Sequence, residues 1–334
     1  MQLARQRFYC DFEERIKNGE SLALYAPEFS GKTYFAKTIY DELKTKRKVF
    51  LDMNNIYNID DLYLFFKQTS QDFFKISFDN LFEVDIARIK HVFEIFCNNV
   101  SKDNTSFYLF IDNFEKINTI QAFKNKDFIK VFNDCFIQCQ NLIFCFTLNN
   151  SDGVDLFKNV NSELYGFCSV EELPQQSKEE LTHFVVNFFN DNKLKIDMKI
   201  VYAIIDKTNG LIFYIKRICD ELALIRKDNL TIYDLDCVID KIYKNYQNYF
   251  LLKLNPLRGK KYITSVLYAI ANDISPYEAL FFKIGDKSHI SKMISRLESD
   301  DIIIKVKENK NKHIVFDPFL RRYILETFVK NLDN

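Results

Sequence analysis

The feature that most constrains this chain is a short apolar run, Ser21–Tyr25 (SLALY). It is followed by Ala26-Pro-Glu-Phe-Ser-Gly-Lys-Thr33 and a helical pattern through Leu43. A buried strand, a tight loop and a helix in that order match the phosphate-binding pattern G-x-x-x-x-G-K-[ST]. Ala26 replaces the first Gly of the pattern, while Gly31, Lys32 and Thr33 are intact. In such a loop the backbone N–H groups and the helix N-terminus point at phosphate oxygens. Gly31 lets the backbone approach a ligand without a Cβ in the way. Lys32 is expected to reach the β- and γ-phosphates, and the Thr33 hydroxyl to ligate magnesium. Ala26, Pro27, Ser30 and Tyr34 complete the expected nucleotide contacts, and the ligands implied are ATP and Mg2+. The Gly-Lys-Thr tripeptide alone is a weak signal; its place between strand and helix makes it informative.

Such a loop needs a carboxylate opposite it. Ser106–Ile111 (SFYLFI) is a continuous apolar run of the kind found in central parallel strands, and it ends in Asp112. An Asp at the C-terminal end of that strand is placed to hold magnesium against the phosphate loop. The chain alternates around these two segments. Lys48–Asp52 reads as a strand, Asp60–Phe74 and Ile86–Asn98 as helices, Phe128–Gln138 as a helix and Asn141–Leu148 as a strand. Leu164–Ser169 is expected as a short fifth strand. This pattern predicts a five-stranded, mostly parallel sheet with helices on both faces. Asn149, just past the fourth strand, either senses the γ-phosphate and orients water or belongs to a plain surface turn over residues 149–153.

Composition narrows the classes further. Apolar residues are 47 % of 334, with 34 Phe and 18 Tyr, which excludes a disordered or collagen-like chain. Only 7 Gly and 5 Pro favour helices over a turn-rich all-β fold. The eight Cys include no C-x-x-C pair, and the four His lie far apart, so no zinc constellation is expected. The first 20 residues are charged and the longest apolar runs are too short to span a bilayer, so a cytoplasmic protein with reduced thiols is expected.

Past Asn255-Pro-Leu-Arg-Gly259 the pattern changes. Lys261–Ala271 is an apolar-periodic helix, Ser275-Pro276 opens a second helix, and Ser288 is expected to cap a third. Ile290, Met293, Ile294 and Leu297 form a buried stripe on that third helix. Two β-prone runs follow, Ile302–Val306 and His313–Phe316, giving the order of a winged helix-turn-helix. The opposite side of the third helix carries His289, Lys292 and Arg296, and the wing adds Lys307, Lys310 and Lys312. These six are the candidate DNA contacts. The 46 Lys and Arg balance 46 Asp and Glu overall, but residues 255–334 hold 14 against 10. The net +4 there leaves −4 for residues 1–254. Glu298, Asp300 and Asp301 close the third helix and oppose phosphate, so the wing suits either duplex DNA or a protein partner.

The order of elements resembles the archaeal-type ATPase branch of the AAA+/STAND P-loop NTPases. The resemblance runs through Ala26–Thr33 and Phe107–Asp112. It continues in Glu172–Asn187 (ELPQQSKEELTHFVVN), Lys207–Leu222 (KTNGLIFYIKRICDEL) and Val315–Leu325 (VFDPFLRRYIL). It implies a nucleotide-binding α/β domain over 1–170, a helical lid over 171–254 and a winged-helix domain over 255–334. Two departures stand out. The family carries Asp-Glu where this chain has Asp112-Asn113, and an amide cannot accept a proton from the attacking water. Hydrolysis is therefore expected to be slow or absent unless Glu115 substitutes. Gly210-Leu-Ile also lacks the family's second Gly and its Pro. The expected function is an ATP-binding protein whose nucleotide state positions the winged helix on DNA. The alternative is a non-hydrolysing switch or scaffold that docks a protein partner or a second copy of itself.

Overall fold

In the computed structural model, residues 4–78, 84–118, 126–227, 229–306 and 309–332 are described. The chain divides into two compact units, Met1–Gln175 and Gln176–Asn334.

The first unit is built on the apolar runs. Helix α1 (Ala4–Lys17), strand β1 (Leu22–Tyr25), α2 (Lys32–Glu42), β2 (Lys48–Asp52), α3 (Ile59–Phe74) and α4 (Ile86–Lys102) come first. They are followed by β3 (Phe107–Asp112), α5 (Lys126–Phe136), β4 (Leu142–Leu148), α6 (Ser151–Lys158) and β5 (Ser169–Glu172). The five strands form one parallel sheet in the order β2-β3-β4-β1-β5. Both central strands, β3 and β4, are buried along their whole length, as strands covered by helices on two faces must be. One face packs under α3, α4 and α5 through a phenylalanine cluster, in which the ring of Phe93 lies 4.7 Å from those of Phe66 and Phe136. The other face packs under α1 and α2, where the Phe12 and Phe35 rings meet edge to face at 5.5 Å. Much of the chain's aromatic content is thus core, at about 1.5–3 kcal/mol for each fully buried ring. The capping box between Asn58 and Asp61 fixes where α3 begins.

Two expectations are corrected in this unit. Helix α1 was not foreseen, because its charged residues mask the apolar stripe Phe8, Phe12 and Ile16. The fifth strand is Ser169–Glu172 rather than Leu164–Ser169. Leu164 is fully buried as a core plug within a run of turns, and Gly166, at φ 73°, bends the chain before pairing with β1 begins.

The second unit is helical, apart from one hairpin. It holds α7 (Lys178–Asp191), α8 (Met198–Lys207), α9 (Ile212–Ile225) and α10 (Ile232–Leu254). Next come α11 (Lys261–Ala271), α12 (Pro276–Ile284) and α13 (Lys287–Ser299). An antiparallel pair, β6 (Ile304–Val306) and β7 (Asn309–Ile314), leads to α14 (Pro318–Leu332). Three helices and a two-stranded ribbon give the winged-helix order. Ser177 with Glu180, and Thr231 with Asp234, form capping boxes that start α7 and α10. Helix α14 ties the bundle to the winged region. Tyr214 donates to Asp317 at 2.8 Å, and Arg322 binds Asp240 at 2.6 Å.

Two boundaries differ here as well. The second ribbon strand is Asn309–Ile314, not His313–Phe316, because a polar strand can pair through its backbone without an apolar alternation. Helix α13 is capped by Asp286, whose side chain accepts from the Ser288 N–H, and not by Ser288. Asp286 stands one position outside the helix, where a carboxylate also favours the positive end of the helix dipole.

Candidate functional site

The site lies at the C-terminal edge of the parallel sheet. There the loop after β1 meets the ends of β2, β3 and β4, the place where open parallel sheets bind ligands. Gly31 stands at the N-cap of α2 with φ 90°. A residue without a side chain there offers no cap to compete with an anion for the first-turn amides. Phe29 also takes a left-handed conformation, φ 65°. For a bulky residue that conformation stores about 1–3 kcal/mol, a cost that tends to collect in functional loops. Lys32 is buried, and its Nζ donates to the carbonyls of Ala26 at 2.5 Å and Pro27 at 2.8 Å. The ammonium is thereby folded over the loop, and a phosphate would compete with those carbonyls. Pro27, Ser30 and Gly31 are half-buried around it. Tyr34 is 78 % exposed, so its ring faces solvent rather than the loop.

Thr33 and Asp112, 79 positions apart in sequence, meet directly: the Thr33 hydroxyl donates to Asp112 Oδ2 at 2.7 Å. Asp112 is 1 % exposed, and its Oδ1 accepts from Thr147 on β4. Burial pushes the Asp112 carboxyl above the usual carboxylate range, while the Thr147 and Thr33 hydroxyls partly restore it. This donor set suits magnesium. It is made of oxygen alone, and no group of three or more His, Cys, Asp or Glu able to hold a metal occurs among the described residues. Mg2+ needs few protein ligands because phosphate and water complete its octahedron.

Asn113 sits beside this pair, buried, with φ 58°. Its backbone N–H donates to Thr147 Oγ1 at 2.9 Å. Its side-chain Nδ2 lies between two carboxylates, 3.1 Å from Asp52 Oδ1 and 3.2 Å from Asp112 Oδ2. Its Oδ1 accepts from Asn149 Nδ2 at 2.7 Å. Both ends of the Asn113 amide are therefore engaged. Asn149 also donates from Nδ2 to Glu115 Oε1 at 2.7 Å, and from its backbone to Oε2 at 3.2 Å. Its side chain thus joins Asn113 to Glu115, and the neighbouring Asn150 caps α6. Glu115 is buried, and its carboxyl is raised by that burial. Both of its oxygens accept from Asn149. Asp52 was missed in the sequence. The available signal was a strand-end acid one strand over from Asp112, with which it pairs in register.

The other candidate residues lie in the second unit. His289, Lys292 and Arg296 are exposed on one side of α13, while Ile290, Ile294 and Leu297 are buried on the other and Met293 is half-buried. The cations are partly answered by acids. Arg296 lies 3.7 Å from Asp300. Asp286 is held below the usual carboxylate range by Ser288, with help from His289 and Lys292. Lys312 is exposed, 3.9 Å from Asp273. Lys310 falls within β7, and Lys307 lies outside the described residues.

A parallel 2-3-4-1-5 sheet, a Gly-Lys-Thr loop after β1 and a strand-end Asp against its Thr define a P-loop nucleotide-binding fold of the AAA+ type. Solved structures bear this out. The Walker-type ATPase paby2304 of Pyrococcus abyssi matches with a TM-score of 0.72 at 15 % identity, covering 96 % of this chain and 95 % of that one. The Aeropyrum pernix ORC2 protein, solved as ADPNP–ADP complexes, matches at 0.61 and 10 % identity over 99 % and 94 %. The ORC1 protein of the same organism, solved with DNA, matches at 0.53 and 10 % identity over 99 % and 95 %. No family model matches the chain. One curated protein, the iron–sulfur cluster assembly protein SufB of Plasmodium falciparum (isolate 3D7), is 25 % identical over 191 residues. That match covers 51 % of this chain and 40 % of that protein's length.

Proposed function

We propose that this chain is an ATP-binding AAA+-type ATPase with slow hydrolysis, whose nucleotide state positions a C-terminal winged helix on duplex DNA. The observation that carries this reading is the meeting of Thr33 and Asp112 at 2.7 Å beside the buried Lys32. Two neighbouring loop residues and a strand-end acid 79 positions further along the chain converge where a magnesium–phosphate pair would need them. Thr33 and Asp112 would hold Mg2+, which supplies positive charge to the phosphates. Lys32, once released from the Ala26 and Pro27 carbonyls, would bind the β/γ-phosphates, and the α2 N-terminus would cradle them. Asn113 and Asn149, which are hydrogen-bonded to each other, would report on the terminal phosphate. The Pyrococcus Walker-type ATPase and the ADPNP–ADP complexes of ORC2 support the nucleotide assignment, and the ORC1–DNA complex supports the DNA assignment.

On this reading residues 1–170 bind nucleotide, 171–254 form the lid and 255–334 the winged helix. His289, Lys292, Arg296, Lys307, Lys310 and Lys312 face phosphate. The described residues contain no helix long and apolar enough to cross a membrane. The second reading is a non-hydrolysing switch that docks a protein partner or another copy, and the amide at Asn113 is what favours it. Magnesium-dependent phosphate release, measured with and without duplex DNA, separates the two. Release that is abolished by Lys32→Ala supports the ATPase. ATP binding without release above the Lys32→Ala background supports the switch.

A further inference from the structure

The carboxylate missing from position 113 has a counterpart one strand away. Asp52 ends β2 in register with Asp112, so both side chains leave the same edge of the sheet. Asp52 is half-buried. Its Oδ1 accepts from Asn113 Nδ2 at 3.1 Å and from the Asn54 backbone N–H at 2.9 Å. Its Oδ2 has no protein partner among the described residues. Asn113 thus holds Asp52 by one oxygen and leaves the other open at the edge where the loop, Thr33 and Asp112 converge. The remaining carboxylates differ from it in kind. Asp112 spends both oxygens on Thr33, Thr147 and Asn113. Glu115 spends both on Asn149. Of the three, only Asp52 has an oxygen with no hydrogen-bond donor on it among the described residues.

We infer that Asp52 is the catalytic carboxylate that polarises the attacking water, with Asn113 as the positioning residue that aims it. This rests on the ATPase reading above. In the step, the water oxygen forms a bond to the γ-phosphorus of ATP and the bond from that phosphorus to the β–γ bridging oxygen breaks. The electron pair stays on ADP, and the water proton passes to Asp52 Oδ2 and then to solvent. The second acid that the family carries at the end of β3 would here stand on β2, with the amide of Asn113 in its place on β3. General-base assistance of this kind typically contributes 10²–10⁴-fold.

The test compares wild type, Asp52→Asn, Lys32→Ala and the exchange variant Asp52→Asn/Asn113→Glu. Asn keeps an acceptor for the Asn54 N–H, so the turn after β2 is retained. Two quantities are read: single-turnover ATP hydrolysis with magnesium, and equilibrium affinity for a fluorescent ATP analogue. Asp52→Asn should slow hydrolysis about 100-fold or more while leaving affinity within about twofold of wild type. The exchange variant, which returns a carboxylate to β3 and an amide to β2, should recover at least about tenfold of that loss. Hydrolysis by Asp52→Asn at the wild-type rate overturns the inference and leaves the ATPase reading standing. A wild type that binds the analogue but never hydrolyses ATP overturns both the inference and the ATPase reading, and selects the switch. A wild type whose affinity equals that of Lys32→Ala overturns the nucleotide reading itself.

Discussion

The two candidate sites are built on opposite principles. At the sheet edge of the first unit, charges are buried and each is held by named partners: Asp112 by two threonines, Lys32 by two carbonyls, Glu115 by Asn149. On α13 of the second unit the charges are exposed, and their partners are loose acids at the helix ends. The first arrangement costs desolvation and is maintained only because hydrogen bonds offset it, so small changes have large consequences. The second costs little to maintain and contributes through summed, salt-screened attraction. A buried polar network specifies chemistry. An exposed cationic face specifies only a class of partner.

This contrast can be broken at its strongest point. Lys32→Ala removes the ammonium that would meet the phosphates, and charged hydrogen bonds are worth about 1.5–3 kcal/mol. ATP affinity measured by calorimetry should therefore fall about 10- to 100-fold. Next in size is Thr147→Val, which strips partners from Asp112 Oδ1 and from the Asn113 N–H together. Unsatisfied buried groups cost about 1–3 kcal/mol, so urea unfolding should show a loss of that order. An unchanged midpoint would mean that the network is not rigid.

On the exposed side, Lys292→Glu/Arg296→Glu should remove duplex binding at low salt in a mobility-shift titration. Wild-type binding should weaken with salt, with a log–log slope of about −0.9 for each phosphate contacted. Binding that ignores both the substitutions and the salt would move the DNA contact away from α13. Folding stability should stay within about 0.5 kcal/mol, as expected of surface changes.

The smallest expected effect is on pH. Burial raises both Asp112 and Glu115, so the folded chain holds their protons more tightly than the unfolded chain does. Their contribution to stability is fully present below the ordinary carboxylate range and is lost as pH rises through the raised values. The difference in Tm between Asp112→Asn and wild type should therefore move in favour of the variant as pH rises from about 4 toward neutral. A difference in Tm that does not vary with pH would show that Asp112 is not strained by burial.

The same contrast explains what could be read from the sequence. Gly31-Lys32-Thr33 and Asp112 were legible because the tripeptide opens the helix that follows an apolar strand and Asp112 ends another, so position and chemistry coincide. The apolar runs behind β3 and β4 likewise announced a central parallel sheet. Asp52 was illegible because a strand-end acid acquires meaning only from its neighbour, and the β2–β3 register is not written in either strand. Leu164 misled because an apolar residue fills a core as readily from a turn as from a strand. Helix α1 was hidden by its charges, and the extent of β7 by a polar hairpin that needs no alternation.

The central claim is that the edge formed by Lys32, Thr33 and Asp112 binds a magnesium–nucleotide pair. Its most direct test is calorimetric titration of ATP, with and without magnesium, into wild type, Lys32→Ala and Asp112→Asn. Saturable binding by wild type is expected, tightened by magnesium. That tightening should be lost in Asp112→Asn, and most of the affinity lost in Lys32→Ala. Equal affinity in all three proteins, indifferent to magnesium, would contradict it.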